Sequence, residues 1–217
     1  MSNQKIWFIT GASKGMGLLL TKLLLDKGDK VAATSRNTEQ LKKGIGIESE
    51  NFLPIELDIT NSEAVKKAIN KTIEYFNGLD VAVNNAGFSF IGSLEELTDD
   101  EFRKALDVNL FGAVNVIRSA MAQFRKQRSG RIINIASAAG YIAGPNIGSY
   151  VASKFAMVGL TEALALEARH LNIRPTVVLP GSFRTNFLDE GSLHYAKRTI
   201  PDYESVNTYH SYMKRAG

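Results

Sequence analysis

Ile6-Trp-Phe-Ile-Thr10-Gly-Ala-Ser-Lys-Gly-Met-Gly17 joins a short apolar run to a glycine-rich turn, and a leucine-rich segment follows. An apolar run of this length reads as a strand buried on both faces. Gly11, Gly15 and Gly17 permit a tight turn, close approach of backbone to a phosphate, and close packing of helix on strand. A helix opening there offers free N–H groups and the positive end of its dipole to a pyrophosphate. The spacing is G-x-x-x-G-x-G rather than G-x-G-x-x-G, so the strand–turn–helix context carries much of the reading.

The same alternation continues along the chain. Strands are predicted at 6–10, 30–34, 52–57, 81–84, 131–136 and 174–179, all short and rich in Ile and Val. Helices are predicted at 15–27, 62–76, 99–127 and 149–170. In the first helix Met16, Leu19, Leu20, Leu23 and Leu24 share one face, and Gly28 stops it. Asn61 or Ser62 caps the second. Strands alternating with helices predict a single-domain α/β fold, a doubly wound parallel sheet of the Rossmann kind. Residues 181–217 are polar, carry Tyr195, Tyr203, Tyr209 and Tyr212, and show no clear strand; they read as a mobile substrate lid or as a partly disordered segment.

Composition narrows the function. The 217 residues are 44% hydrophobic and 22% charged, an ordinary globular balance. Cysteine is absent, so disulfides and thiolate metal sites are excluded. The three histidines, His170, His194 and His210, form no metal-spaced pair, and no metal is expected. The net charge is +4, but Lys42-Lys43, Lys66-Lys67 and Arg125-Lys126-Gln-Arg128 read as solvated helix faces and a helix end, not a nucleic-acid surface. No signal-like leader or apolar run of membrane-spanning length occurs. A cytoplasmic protein without a membrane span is expected.

The second strand bears on the choice of nucleotide. A site for NAD usually places Asp or Glu at its end to accept from the ribose 2′-OH. Here it ends Ala33-Thr34-Ser35-Arg36. A cation replaces the acid, and Lys14 in the glycine turn is a second, so a 2′-phosphate and hence NADP(H) is predicted.

Further along, Tyr150 and Lys154 stand four residues apart in Ser149-Tyr-Val-Ala-Ser-Lys154, thirteen residues after Ser137. One helical turn puts them on the same face. The ammonium there favours tyrosinate, and an oxidised nicotinamide would add positive charge, so Tyr150 can act as acid in reduction and base in oxidation near neutral pH. Ser137, past a strand end, can hydrogen-bond a substrate oxygen or simply cap a turn.

The chain resembles the short-chain dehydrogenase/reductase family, of the Tyr-x-x-x-Lys type. The resemblance rests on Thr10–Gly17, Asp58 in Leu57-Asp-Ile-Thr60, Asn84-Asn-Ala-Gly87, Asn109 in Val108-Asn-Leu-Phe-Gly112, Ser137, Tyr150 with Lys154, and Pro180-Gly181, in that order. It implies a catalytic set of Asn109, Ser137, Tyr150 and Lys154, with Lys154 also on the nicotinamide ribose and Asn109 positioning a water in a proton relay. It implies a cofactor set of Gly11, Ser13, Lys14, Gly15, Met16, Gly17, Ser35, Arg36, Asp58, Ile59, Asn85, Ala86, Gly87, Tyr150, Lys154, Pro180, Gly181, Phe183 and Thr185. Within it Asp58 touches adenine and Thr185 the carboxamide. Asp58 also reads as a turn acid, Asn84 as a strand stabiliser, and Asn109 as an ordinary helix polar residue.

The activity implied is an NADPH-dependent carbonyl reductase, or alcohol dehydrogenase in reverse, using the 4-pro-S hydride. Phe88, Phe90, Ile91, Ala138, Ala139, Tyr141, Ile142 and Phe183 are predicted around the reacting groups, suiting a largely apolar ketone or alcohol. A homodimer or homotetramer is implied. Family members usually continue into one more strand and helix, whereas this sequence ends at Gly217 inside the expected lid helix. A non-catalytic NADP-binding sensor on the same scaffold is the alternative, and a chain with an incomplete site is a third reading. Four intact candidate catalytic residues weigh against the sensor.

Overall fold

A computed structural model describes residues 4–181 and 192–206. Six parallel strands form one sheet: β1 (Ile6–Ile9), β2 (Lys30–Ser35), β3 (Phe52–Glu56), β4 (Val81–Asn84), β6 (Gly130–Ile135) and β7 (Ile173–Val178). Their order is β3-β2-β1-β4-β6-β7, so the chain winds outward from β1 and then crosses back to β4. That reversal leaves a crevice beyond the carboxyl ends of β1 and β4. Helices cover both faces: α1 (Gly15–Asp26) and α2 (Thr38–Ile45) on one, α3 (Ser62–Phe76), α5 (Gly112–Gln127) and α6 (Gly148–Ala168) on the other. Phe8, Ala32, Ala82 and Ile132 pack with Ile69, Val116, Phe124 and Leu164. Ile9, Val31, Ala33 and Val83 pack with Leu24, Leu41 and Ile45.

Several expectations are corrected. On α1 the buried residues are Gly17, Thr21 and Leu24, whereas Met16, Leu19 and Leu23 are exposed. The reason is Gly17: a Cβ there would stand 2.6 Å from Gly11 O, so the helix turns its glycine side, not its leucine stripe, toward the sheet. The predicted helix 99–127 is two helices, α4 (Asp99–Leu106) and α5, joined by a π-helical turn at Asp107–Phe111. α2 is an element the strand–helix reading passed over. Asn37 caps it by accepting from the Gln40 N–H at 2.9 Å, and Gly46 closes it at φ 70°.

The region read as having no strand contains β8 (Leu193–Tyr195), which pairs in parallel with β5 (Ser89–Ile91) to make a second, two-stranded sheet. Phe183, Thr185, Tyr209, Tyr212 and His210 lie outside the described residues.

One polar chain fixes α6 on the sheet. Asn84 and Asn134 are register partners on β4 and β6. Asn84 Nδ2 donates to Asn134 Oδ1 at 2.8 Å, and Asn134 Nδ2 donates to Thr161 Oγ1 at 2.8 Å. Thr161 Oγ1 then donates to Met157 O at 2.6 Å. All three side chains are buried, so each bond satisfies a group that water cannot reach. Asn134→Ala strands the Asn84 Nδ2 donor, while Thr161 keeps its bond to Met157 O, and is expected to lower unfolding free energy by about 1–3 kcal/mol, read from the urea midpoint.

Candidate active site

The glycine turn and the loop after β4 meet at the crevice. Thr10 Oγ1 accepts the N–H groups of Asn85 and Ala86 at 3.0 and 3.1 Å, and donates to Val83 O at 3.3 Å. Asn85 Nδ2 returns two bonds, to Thr10 O at 3.0 Å and Gly11 O at 2.9 Å. Gly11 has φ 65°, and a Cβ on it would lie 2.7 Å from Ala86 Cα. No side chain with a Cβ fits there. Gly15 also has a positive φ, 56°.

α1 opens at Gly15 with no side-chain cap and no acid in its first turn. Its first N–H groups and positive dipole end are the donor set that a pyrophosphate takes. Ser13 and Lys14 are half-buried in this turn and Met16 is exposed beside it. These residues fit a dinucleotide.

Ser35 and Arg36 end β2, Ser35 buried and Arg36 exposed. Ser35 Oγ accepts the Asn37 N–H at 3.1 Å. Asp58 takes the turn role: its Oδ1 accepts from Thr60 N–H at 2.9 Å and Thr60 Oγ1 at 2.7 Å. Those two bonds, with the charge of Arg36 adding to them, hold its carboxyl below the usual carboxylate range. The α3 cap is Asn61. Ile59 is buried under α5, its carbonyl accepting from Asn115 Nδ2 at 3.0 Å.

The candidate catalytic residues converge from three elements. Ser137 caps the short turn Ala138–Gly140, accepting the Ala139 N–H at 3.1 Å, and its hydroxyl also hydrogen-bonds Tyr150. Lys154 is 4% exposed, and its Nζ donates to Ile135 O at 2.8 Å. It sits 5.4 Å from the Tyr150 ring centroid. Burial pulls the Lys154 pKa down to about 8.

Burial raises Tyr150, and the Ser137 bond only partly opposes it. This direction is the reverse of the sequence expectation, because desolvation of the phenolate outweighs every other influence on the chain by itself.

Asn109 is buried inside the π-helical turn. Its Oδ1 accepts the Phe88 N–H at 3.0 Å; its Nδ2 donates to Phe88 O at 2.8 Å and Ser153 Oγ at 3.1 Å. Ser153 Oγ donates to Tyr150 O at 2.7 Å. A Cβ on Gly87 would stand 3.2 Å from Asn109 Oδ1 and 3.7 Å from Lys154 Nζ, so Gly87, Asn109 and Lys154 share one small space. The sequence reading missed Ser153 and Thr10 as site residues. Both lie inside quoted motifs, and their signal was a hydroxyl next to a glycine turn or a helix-borne lysine.

Pro180 O accepts the Ala138 N–H at 2.8 Å, tying the 180–181 turn to the Ser137 loop. Phe88, Phe90 and Ile91 are buried, and Phe88 and Phe90 pack with Leu97 and Ala105. Tyr141 and Ile142 are exposed, 77% and 69%. Among the described residues no cluster of metal-binding side chains occurs, and no helix is long and apolar enough to cross a membrane.

Comparison with known proteins agrees with this geometry. A 3-ketodihydrosphingosine reductase of Bacteroides thetaiotaomicron is 37% identical over 202 residues, 92% of this chain and 71% of that protein. A short-chain dehydrogenase from Streptomyces avermitilis superposes with a TM-score of 0.89 at 31% identity, covering 97% of this chain and 79% of the other. ElxO with NADP bound gives 0.81 at 32% identity, covering 86% and 77%. NAD+-bound xylitol dehydrogenase gives 0.78 at 31%, covering 83% and 72%. The family model for short chain dehydrogenase matches residues 5–195. The chain therefore belongs to the short-chain dehydrogenase family and is an oxidoreductase of that family.

Proposed function

We propose that this protein is an NADPH-dependent carbonyl reductase, working reversibly as an alcohol dehydrogenase on a largely apolar ketone or alcohol. The observation that carries the reading is the Ser137–Tyr150 hydrogen bond lying beside the buried Lys154. When bound, the nicotinamide supplies or accepts the hydride and, in its oxidised form, adds a positive charge. The turn at Gly11–Gly17 and the first N–H groups of α1 hold the pyrophosphate. Lys14 and Arg36 hold the 2′-phosphate, since no acid stands at the end of β2 to favour a free hydroxyl. NAD-bound and NADP-bound relatives share this fold, so the choice between them rests on these two cations.

In reduction the Tyr150 hydroxyl gives its proton to the developing alkoxide, and in oxidation the phenolate removes it. Ser137 donates to the same oxygen and stabilises its charge. A lysine titrating about 8 exchanges protons readily near neutral pH, which suits Lys154 to resupply Tyr150. Asn109, held by Phe88 and Ser153, positions the relay behind it. A homodimer or homotetramer acting in the cytoplasm completes the proposal.

Tyr150→Phe is expected to lower kcat by about a hundred- to ten-thousand-fold across a panel of ketones and aldehydes while NADPH still raises the melting temperature. Retained turnover would remove Tyr150 as the acid. Loss of nothing in a chain that never turned over would favour the NADP-binding sensor. Arg36→Asp is expected to move the NADPH/NADH ratio of kcat/KM at least about tenfold toward NADH.

Lys154 also marks the pH profile of stability. In the folded chain it holds its proton only below about 8, against 10.5 for the ordinary side chain. Unfolding between those values takes up a proton, so stability rises with pH across that window. Lys154→Met is expected to flatten this rise, seen by comparing urea midpoints below and within the window.

A further inference from the structure

Residues 192–203 cross back onto the segment that follows the 84–87 loop, and the bonds that hold them there converge on two glutamates. β8 lies against β5 in the register Ser89↔Leu193, Phe90↔His194, Ile91↔Tyr195. Ser89 N donates to Ser192 O at 2.9 Å and Ala196 N to Ile91 O at 2.8 Å. Beyond the ladder, Glu96 is 1% exposed, an unusual place for a carboxylate. Its Oε2 accepts the Ser93 N–H at 2.8 Å, and its Oε1 accepts the Ile200 N–H at 2.9 Å. Glu101, 4% exposed, accepts from Thr98 N–H and Oγ1 at 2.9 Å on one oxygen and from Lys197 N–H at 3.1 Å on the other. Each carboxylate thus bonds its own local turn with one oxygen and residues 197–200 with the other.

The anchored segment presents His194. Its ring lies edge-on to Phe88, centroids 5.5 Å apart, and tilted on Phe90 at 5.6 Å. Phe90, Lys104, His194, Tyr195 and Lys197 are among the residues lining a recess of about 330 Å³. Burial, followed by the positive charges of Lys104, Arg36 and Lys14, pushes the His194 imidazole pKa down.

We propose that Glu96 and Glu101 are positioning residues that hold residues 192–203 as a strap along β5, and so brace the Gly87–Phe88 turn that Asn109 holds at the cofactor crevice. The proposal rests on the reading of Asn85 to Gly87 as part of the cofactor site. A carboxylate is needed because it only accepts; an amide at Glu96 would turn an N–H₂ toward one of the two N–H donors.

Glu96→Gln is therefore a test that keeps the shape and breaks one anchor. Trypsin cleaves after Lys197 and Arg198, both exposed in side chain but with the Lys197 N–H held by Glu101 and the Arg198 Nη2 held by Glu95 O and Leu97 O at 3.3 Å. The variant is expected to be cut at this pair about tenfold faster than wild type, and to bind NADPH about tenfold more weakly, with kcat at saturating NADPH close to wild type. NADPH is expected to slow the cut in the wild-type chain.

Amide hydrogen exchange on the unsubstituted chain reads the same bonds without a variant: the Lys197 and Ile200 N–H groups should exchange far more slowly than in a free peptide. Exchange at the free-peptide rate, or a Glu96→Gln chain that is cut and binds NADPH as wild type does, overturns the strap. A wild-type chain whose melting temperature neither NADPH nor NADH raises overturns instead the reading of residues 85–87 as a cofactor loop.

Discussion

The rest of the structure depends on how closely the glycine turn can approach the loop after β4. The backbone at Gly11 lies so near Ala86 that a Cβ would fall 2.7 Å from its Cα. Thr10 and Asn85 then lock the two segments with five hydrogen bonds, one of them to Val83 O. These segments end β1 and β4, the strands between which the winding reverses. The same contact therefore closes the sheet at its centre, aims the start of α1 into the crevice, and sets where Gly87 stands relative to Asn109 and Lys154. A wider approach would separate the anion-binding turn from the acid–base residues, which come from elements far later in the chain.

Electrostatics at the second half of the site follow from burial. Lys154 gives up the solvation of its ammonium and receives one carbonyl in return, which moves its titration toward neutrality. Tyr150 moves the other way for the same reason. Two groups with ordinary pKa values of 10.0 and 10.5 are thereby pushed apart, the arrangement that separates a proton donor from the group that resupplies it. The Asn84–Asn134–Thr161 chain supplies the stiffness this needs, since it holds α6, and with it both residues, at a fixed height on β4 and β6.

Much of this was legible in the sequence because the signals were local. The strands of the large sheet are apolar runs bounded by turn residues, and the glycine turn and the Tyr150–Lys154 pair depend on spacings of a few residues. Where the reading failed, the deciding contact was distant. The leucine stripe of α1 predicted the wrong buried face because Gly17 must meet Gly11 and Asn85, a constraint no hydrophobic period expresses. β8 is three residues long and its partner lies a hundred residues earlier, so no pattern inside residues 193–195 marks it as a strand. Glu96 reads as one more acid in Leu94-Glu-Glu-Leu97, and only the chain returning at Ile200 gives it a reason to be buried. α2 differs: Asn37 and Gly46 announced both its ends.

The wide turn at Asp107–Phe111 bears on how this chain can change over time. The Gly112 N–H reaches back to Asp107 O, so this stretch holds one residue more than a regular helical path would. Deleting any one residue from it would close the wide turn into ordinary winding, and the backbone carrying Asn109 would lose its bulge. Asn109 would then leave Phe88 and Ser153. Insertions and deletions should accumulate in the loops of this protein while the length of 107–112 stays constant, even where its individual side chains drift.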